Sequence, residues 1–145
     1  MSESVERNTV LKNIEEKIFR QIMDNDSLNN YINSEYGFWY YYKERDLINN
    51  KLASTGDEVI FSYEVRTLNN SIIYSKEELG DRNYLVDKED LITGLQEGIK
   101  LMKEGEVVVF LFPSYKAYGY VGNDRVRSNE PLIYTVKLKK IINKN

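Results

Sequence analysis

Residues 88–106 read KEDLITGLQEGIKLMKEGE, the only helical pattern in the second half of a 145-residue chain. Leu91, Leu95, Ile99 and Met102 recur at spacings of three and four and so share one face, and Gly105 stands where a helix cap is expected. Gly94 and Gly98 each cost about 1 kcal/mol relative to alanine inside a helix. The helix predicted here is therefore short and held by packing rather than by propensity.

Outward from it, the pattern changes to a period of two. On the C-terminal side lie VVVFLF (107–112) and PLIYTVKLKKII (131–142), in which Leu132, Tyr134, Val136 and Leu138 share one face, with a long loop between the two strands. On the N-terminal side, Val59, Phe61, Tyr63 and Val65 alternate with Glu58, Ser62, Glu64 and Arg66 in GDEVIFSYEV (56–65), with Ile60 interrupting the polar set. Asn69 and Asn70 tolerate positive φ and mark a reversal into SIIYS (71–75), and NYLVD (83–87) is a further short extended piece.

SEYGFWYYYKERD (34–46) carries five consecutive aromatics, Phe38 to Tyr42. As a strand, it sends Phe38, Tyr40 and Tyr42 to one face and Trp39 and Tyr41 to the other. The rival reading, a stacking platform for carbohydrate or a single strand, requires all five on one surface. Val5 to Met23 forms an amphipathic helix whose apolar stripe, Leu11, Ile14, Ile18 and Ile22, faces inward, with Glu15, Glu16, Lys17 and Arg20 between. The run DNDSLNN (24–30) ends it. Strands in hairpin order around one short helix predict an α+β fold, an antiparallel twisted sheet wrapped on that helix, with residues 1–33 as an added helical extension and 34–145 as the main domain.

Composition removes whole classes of chemistry. The chain has no Cys and no His, so Ser-His-Asp and Cys-His nucleophiles and His or Cys zinc sites cannot be assembled. A net charge of -3 gives no footprint for a phosphate backbone, and no nucleic-acid partner is expected. The pairs Glu77 with Glu78 and Glu89 with Asp90 sit beside Lys76 and Lys88 and read as solvated surface. Asp87, Glu89 and Asp90 lack the spacing of a calcium loop. No metal and no cofactor are predicted.

The combination GLQEGIKLMKEGE, a strand, PSYKAYGYVG and then PLIYTVKL resembles the C-terminal half of the FKBP-type peptidyl-prolyl isomerases, and the resemblance extends over residues 34–142. SVERN, GFWYYY, IIYS and LFPSYKAYGY look like the gliding-motility-associated branch of that family, whose members are envelope lipoproteins. The resemblance implies a proline pocket walled by aromatics and floored by the short helix. Matched by position, Tyr63 and Tyr118 are the catalytic candidates, Tyr118 through a hydroxyl that meets the substrate carbonyl. Tyr63, Tyr74, Ser75, Leu91, Ile92, Leu95, Tyr118, Val126 and Tyr134 are the substrate-binding candidates. Ser75 stands where an aspartate is usual, Leu95 where tryptophan is common, and Arg82 near a usual phenylalanine. The partners implied are proline-containing polypeptides, with the chain a monomer, on the cell envelope or alternatively in the cytoplasm. A non-catalytic proline-binding chaperone using the same pocket is the alternative function.

Overall fold

In the computed structural model, residues 3–144 are described. Helix α1 (Glu3–Asp24) is followed by strands β1 (Ile32–Asn33), β2 (Trp39–Glu44), β3 (Glu58–Thr67) and β4 (Ile72–Tyr74). A one-turn helix α2 (Lys76–Leu79), strand β5 (Arg82–Leu85), helix α3 (Thr93–Ile99) and strands β6 (Val107–Phe112) and β7 (Leu132–Ile142) complete the order. The strands form one antiparallel sheet in the order β1-β2-β6-β7-β3-β4, and β5 pairs with the first half of β3. This is the α+β arrangement predicted, including the added N-terminal helix.

One face of the sheet carries the core. Val59, Phe61 and Val65 from β3, Val108, Phe110 and Phe112 from β6, and Leu132, Tyr134, Val136 and Leu138 from β7 are all buried there with Leu95, Ile99 and Met102. Alternation along each strand puts them on the same side. Gly94 and Gly98, read from sequence as weaknesses, are what lets α3 reach the sheet. A Cβ on Gly94 would lie 2.7 Å from the Phe112 ring, and one on Gly98 would lie 2.8 Å from the Phe110 ring. Gly105 does not cap α3, which ends at Ile99 with Lys100 as its cap. Its φ of +88° serves the turn into β6, where the Glu106 amide donates to the Lys103 carbonyl.

The five aromatics divide as the strand reading requires. Phe38 and Tyr40 are buried and Tyr42 half-buried, all three packed on the core cluster. Trp39 and Tyr41 point to the other face. There Trp39 Nε1 donates to the Glu16 carboxylate at 3.2 Å, and Tyr41 meets Tyr31 edge-on with ring centroids 5.0 Å apart. Their cross-strand partners, Leu111 and Val109, are buried on this same side.

Helix α1 covers that second face, though with a different stripe from the one predicted. Ile14 is exposed, whereas Phe19 and Glu15 are buried. The Glu15 carboxylate accepts from the backbone amide and the hydroxyl of Ser114, both at 2.6 Å. A carboxylate can occupy a buried position when every lone pair that matters is bonded. Its partner lies 99 residues away, so nothing local in the sequence reveals it. The second half also holds one helix more than expected: α2, capped by reciprocal bonds between Ser75 and Glu78.

Candidate active site

Three elements bring the predicted residues together. Strand β3 supplies Tyr63, β7 supplies Tyr134, and the crossing from β6 to β7 supplies Tyr118 and Val126. Tyr134 is fully buried, its ring stacked on that of Tyr63 with centroids 5.7 Å apart and planes 4° from parallel, and it meets the Phe112 ring at 5.1 Å. Leu95 and Val126 are buried beside it in the same cluster, while Tyr63, Tyr74, Leu91, Ile92 and Tyr118 pack around them half-buried. The arrangement is a buried apolar floor edged by half-buried tyrosines.

The loop carrying Tyr118 has a fixed base. It leaves β6 through Pro113 and a single turn of 3-10 helix, Ser114–Lys116. Glu15 holds the first residue of that turn, and Lys116 Nζ donates to Glu97 of α3 at 2.7 Å. Beyond Tyr118, Gly122 adopts φ +63°, and a Cβ there would lie 2.4 Å from the Val126 carbonyl oxygen, so only glycine fits the turn.

The far end of the loop is fastened across the rim by residues the sequence reading did not select. Asn123 accepts from the amides of Arg125 and Val126 through Oδ1, and its Nδ2 donates to the Tyr74 hydroxyl at 3.1 Å. The Arg125 guanidinium lies 4.7 Å from the Tyr74 ring centre and donates to Glu78 at 2.8 Å and to the Ile73 carbonyl at 2.9 Å. That carbonyl lies on the edge strand β4, whose register with β3 shifts between Tyr74 and Ile72. The signal that could have found Asn123 is an asparagine directly after glycine, a turn former. Arg125 carries no comparable signal.

The remaining candidates have plain positions. Ser75 is the N-cap of α2, its hydroxyl accepting from the Glu78 amide at 3.2 Å. Ile92 precedes α3 as its N-cap with no side-chain cap bond, and Gln96 Nε2 donates to the Leu91 carbonyl at 2.6 Å, holding that segment in place. Arg82 begins β5 and is exposed.

Burial pushes the hydroxyl pKa of Tyr118 above the usual phenol value. It pushes that of Tyr134 much further, with the neighbouring Tyr118 hydroxyl adding to the effect. Both are neutral donors at any physiological pH. The buried carboxylates Glu15, Asp57 and Glu106 each accept from backbone amides and are committed to loops and the α1 contact. Among the described residues no group of three His, Cys, Asp or Glu is placed to hold a metal, and no helix is long and apolar enough to cross a membrane.

The fold and the rim of tyrosines together define a sheet-on-helix protein with a buried aromatic cluster edged by half-buried phenols. A sequence profile of the FKBP-type peptidyl-prolyl cis-trans isomerases matches residues 49–139, more than half of the chain, and the chain belongs to that family. Among characterised proteins it is similar to a probable FKBP-type peptidyl-prolyl cis-trans isomerase FkpA of Neisseria meningitidis serogroup B (33% identity over 92 residues, 63% of this chain). The matched region spans about a third of that relative, 34% of its length. In fold it is similar to FkpA from Escherichia coli, with a TM-score of 0.75 and 20% identity over 98% of this chain and 64% of the other. It is also similar to a peptidyl-prolyl cis-trans isomerase from Pseudomonas syringae pv. tomato (TM-score 0.73, 16% identity, 93% of this chain and 96% of the other).

Proposed function

We propose that this protein catalyses cis-trans isomerisation of Xaa-Pro bonds in polypeptide clients, with the prolyl ring on the floor made by Leu95, Val126 and Tyr134. Tyr63, Tyr74, Leu91, Ile92 and Tyr118 are assigned to the walls. The observation that carries the reading is the convergence of half-buried Tyr63, Tyr74 and Tyr118 on a buried Tyr134 in a member of this family. The barrier to rotation is about 18 to 20 kcal/mol because amide resonance must be broken. The twisted amide has less charge separation than the planar one, so an apolar pocket raises the planar ground state relative to it. Each 1.36 kcal/mol of that difference is tenfold in rate. Tyr118 is assigned the carbonyl on the N-terminal side of the proline, a positioning role that calls for a neutral hydroxyl and no proton transfer. The unit proposed to carry the activity is residues 34–145, with residues 1–33 as an added extension.

Exchange NMR on an Ala-Leu-Pro-Phe peptide tests the reading. Cis and trans resonances are expected to broaden and merge at substoichiometric protein, and no acceleration at equimolar protein sinks it. A second reading, proline binding without catalysis, is favoured by Ser75, which offers a capping hydroxyl where the family's aspartate is usual, and by Leu95 on the floor. Chemical-shift changes without exchange broadening would identify it. The likeness of SVERN, GFWYYY, IIYS and LFPSYKAYGY to the gliding-motility-associated branch supports an anchored place on the cell envelope. Fractionation of the native host separates this from a cytoplasmic location.

A further inference from the structure

The Tyr134 hydroxyl is sealed from solvent and has no hydrogen-bond partner among the described residues. Buried hydroxyls are almost always bonded, because an unmade bond keeps the whole desolvation penalty of the group. The ring cannot turn away to relieve it, since it is stacked on Tyr63 and wedged against Phe112 with no exposed surface. Three phenols surround it. The Tyr74 hydroxyl is already engaged by Asn123, and Tyr63 lies parallel to Tyr134. The Tyr118 hydroxyl acts on it most strongly of the three: the two phenols are near enough for a Tyr134–Tyr118 hydrogen bond to lower the pKa of Tyr118 and raise that of Tyr134, while in the free pocket the bond falls short of good geometry. Of the four rings, Tyr118 is the one on a loop, with its base held by Glu15 and Lys116 and its far side by Arg125.

We propose that Tyr134 is a positioning residue that acts through Tyr118: its buried hydroxyl donates to Tyr118 Oη when Tyr118 donates to the substrate carbonyl. The inference rests on the isomerase reading above. A hydroxyl that accepts one bond is a better donor in the next, so the chain from Tyr134 to Tyr118 to carbonyl is stronger than its two bonds taken singly. The donor poorly matched in the free pocket is fully matched when substrate draws the Tyr118 hydroxyl into line. The polar group at the floor is thereby a device of the bound state and contributes nothing to folding.

Four proteins test this: the parent, Tyr134→Phe, Tyr118→Phe and the double variant, each assayed for kcat/KM on the Ala-Leu-Pro-Phe peptide and for its urea midpoint. Tyr134→Phe is expected to lower kcat/KM about threefold to tenfold, the effect of one hydrogen bond, with a urea midpoint equal to or above the parent's. In the Tyr118→Phe background the same substitution is expected to change kcat/KM no further, because the relay is already broken. An inactive parent overturns the isomerase reading and this inference with it. An active parent with an equally active Tyr134→Phe overturns the inference alone. So does a Tyr134→Phe that loses stability, or one that loses the same factor in both backgrounds, since either shows a structural hydroxyl independent of Tyr118.

Discussion

At the scale of single residues, the glycines of α3 show how packing overrides propensity. Helix scales say that Gly94→Ala stabilises by about 1 kcal/mol. The Phe112 ring, buried and 2.7 Å from where the new methyl would sit, says the opposite. Forcing a methyl into a filled core costs about 1 to 3 kcal/mol, so the expected outcome is a lower urea midpoint, and a rise would show that α3 can lift from the sheet freely. The sequence displays both glycines but not their neighbours, which is why a spacer read as a defect. Glu15 was misread for a related reason. Between Ile14 and Ile18 it belongs to the polar side by chemistry, yet helix geometry turns it inward, and only the Ser114 amide and hydroxyl make that burial tolerable. Tyr63 and Tyr134 were legible because strand alternation fixes which way they point. The role proposed for Tyr118 comes only from its setting in AYGY and the family resemblance, since a loop has no period to read.

At the scale of elements, α1 is docked by two carboxylates. Glu15 reaches the turn that begins the Tyr118 loop, and Glu16 receives Trp39 Nε1, with Arg20 5.5 Å from the indole ring centre. Glu15→Ala would leave the buried Ser114 amide without its acceptor, a loss of about 2 kcal/mol for a charge-assisted bond. The expected result is partial release of α1, read as a red shift in the emission of Trp39, the single tryptophan; unchanged emission would mean that Phe19 and the Glu16–Trp39 bond hold the helix without Glu15. The strands and α3 were legible because each has several periodic residues. Strand β1 with 2 residues and α2 with 4 are too short to show a period. The latch from the loop to α2 gives a third test. Arg125 is exposed, so its ion pair contributes little to global stability, but it pins the loop to Glu78 and Ile73. Arg125→Ala is expected to leave the urea midpoint nearly unchanged, speed amide exchange at residues 123–126 and reduce kcat/KM several-fold. The Arg125 bond, then the capping amide of Ser75, hold the Glu78 carboxyl below its ordinary 4.5. A depressed carboxylate contributes fully above its unfolded pKa and loses that contribution as pH falls through the folded one. The protection of the loop amides in the parent, taken as exchange relative to the intrinsic rate at each pH, should therefore fall below about pH 4.5 and be flat above it, and a fall in protection near neutral pH would show that some other contact controls the loop.

For the whole molecule, the absence of histidine and cysteine becomes a statement about how the rate depends on pH. The ionisable groups of the proposed pocket are phenols, and burial moves Tyr118 and Tyr134 upward, away from neutrality. The carboxylates with resolved shifts, Asp26, Asp46, Glu58, Glu78 and Asp87, all move downward, led by hydrogen bonds to side chains or backbone. The charged forms of these five stabilise the fold above their unfolded values, and that contribution disappears as pH falls through the lowered ones. Between the two sets stands no histidine and no cysteine, and a mechanism of differential binding transfers no proton. The acceleration of peptide isomerisation is accordingly expected to be constant from about pH 6 to about pH 9. Its fall at low pH should follow the loss of native circular dichroism rather than precede it, because unfolding and not chemistry sets that limit. A bell-shaped profile centred near neutrality would require an acid and a base in the reaction. This sequence contains no side chain with an ordinary pKa in that range, so such a profile would reject the non-covalent pocket mechanism itself rather than the role of any one tyrosine.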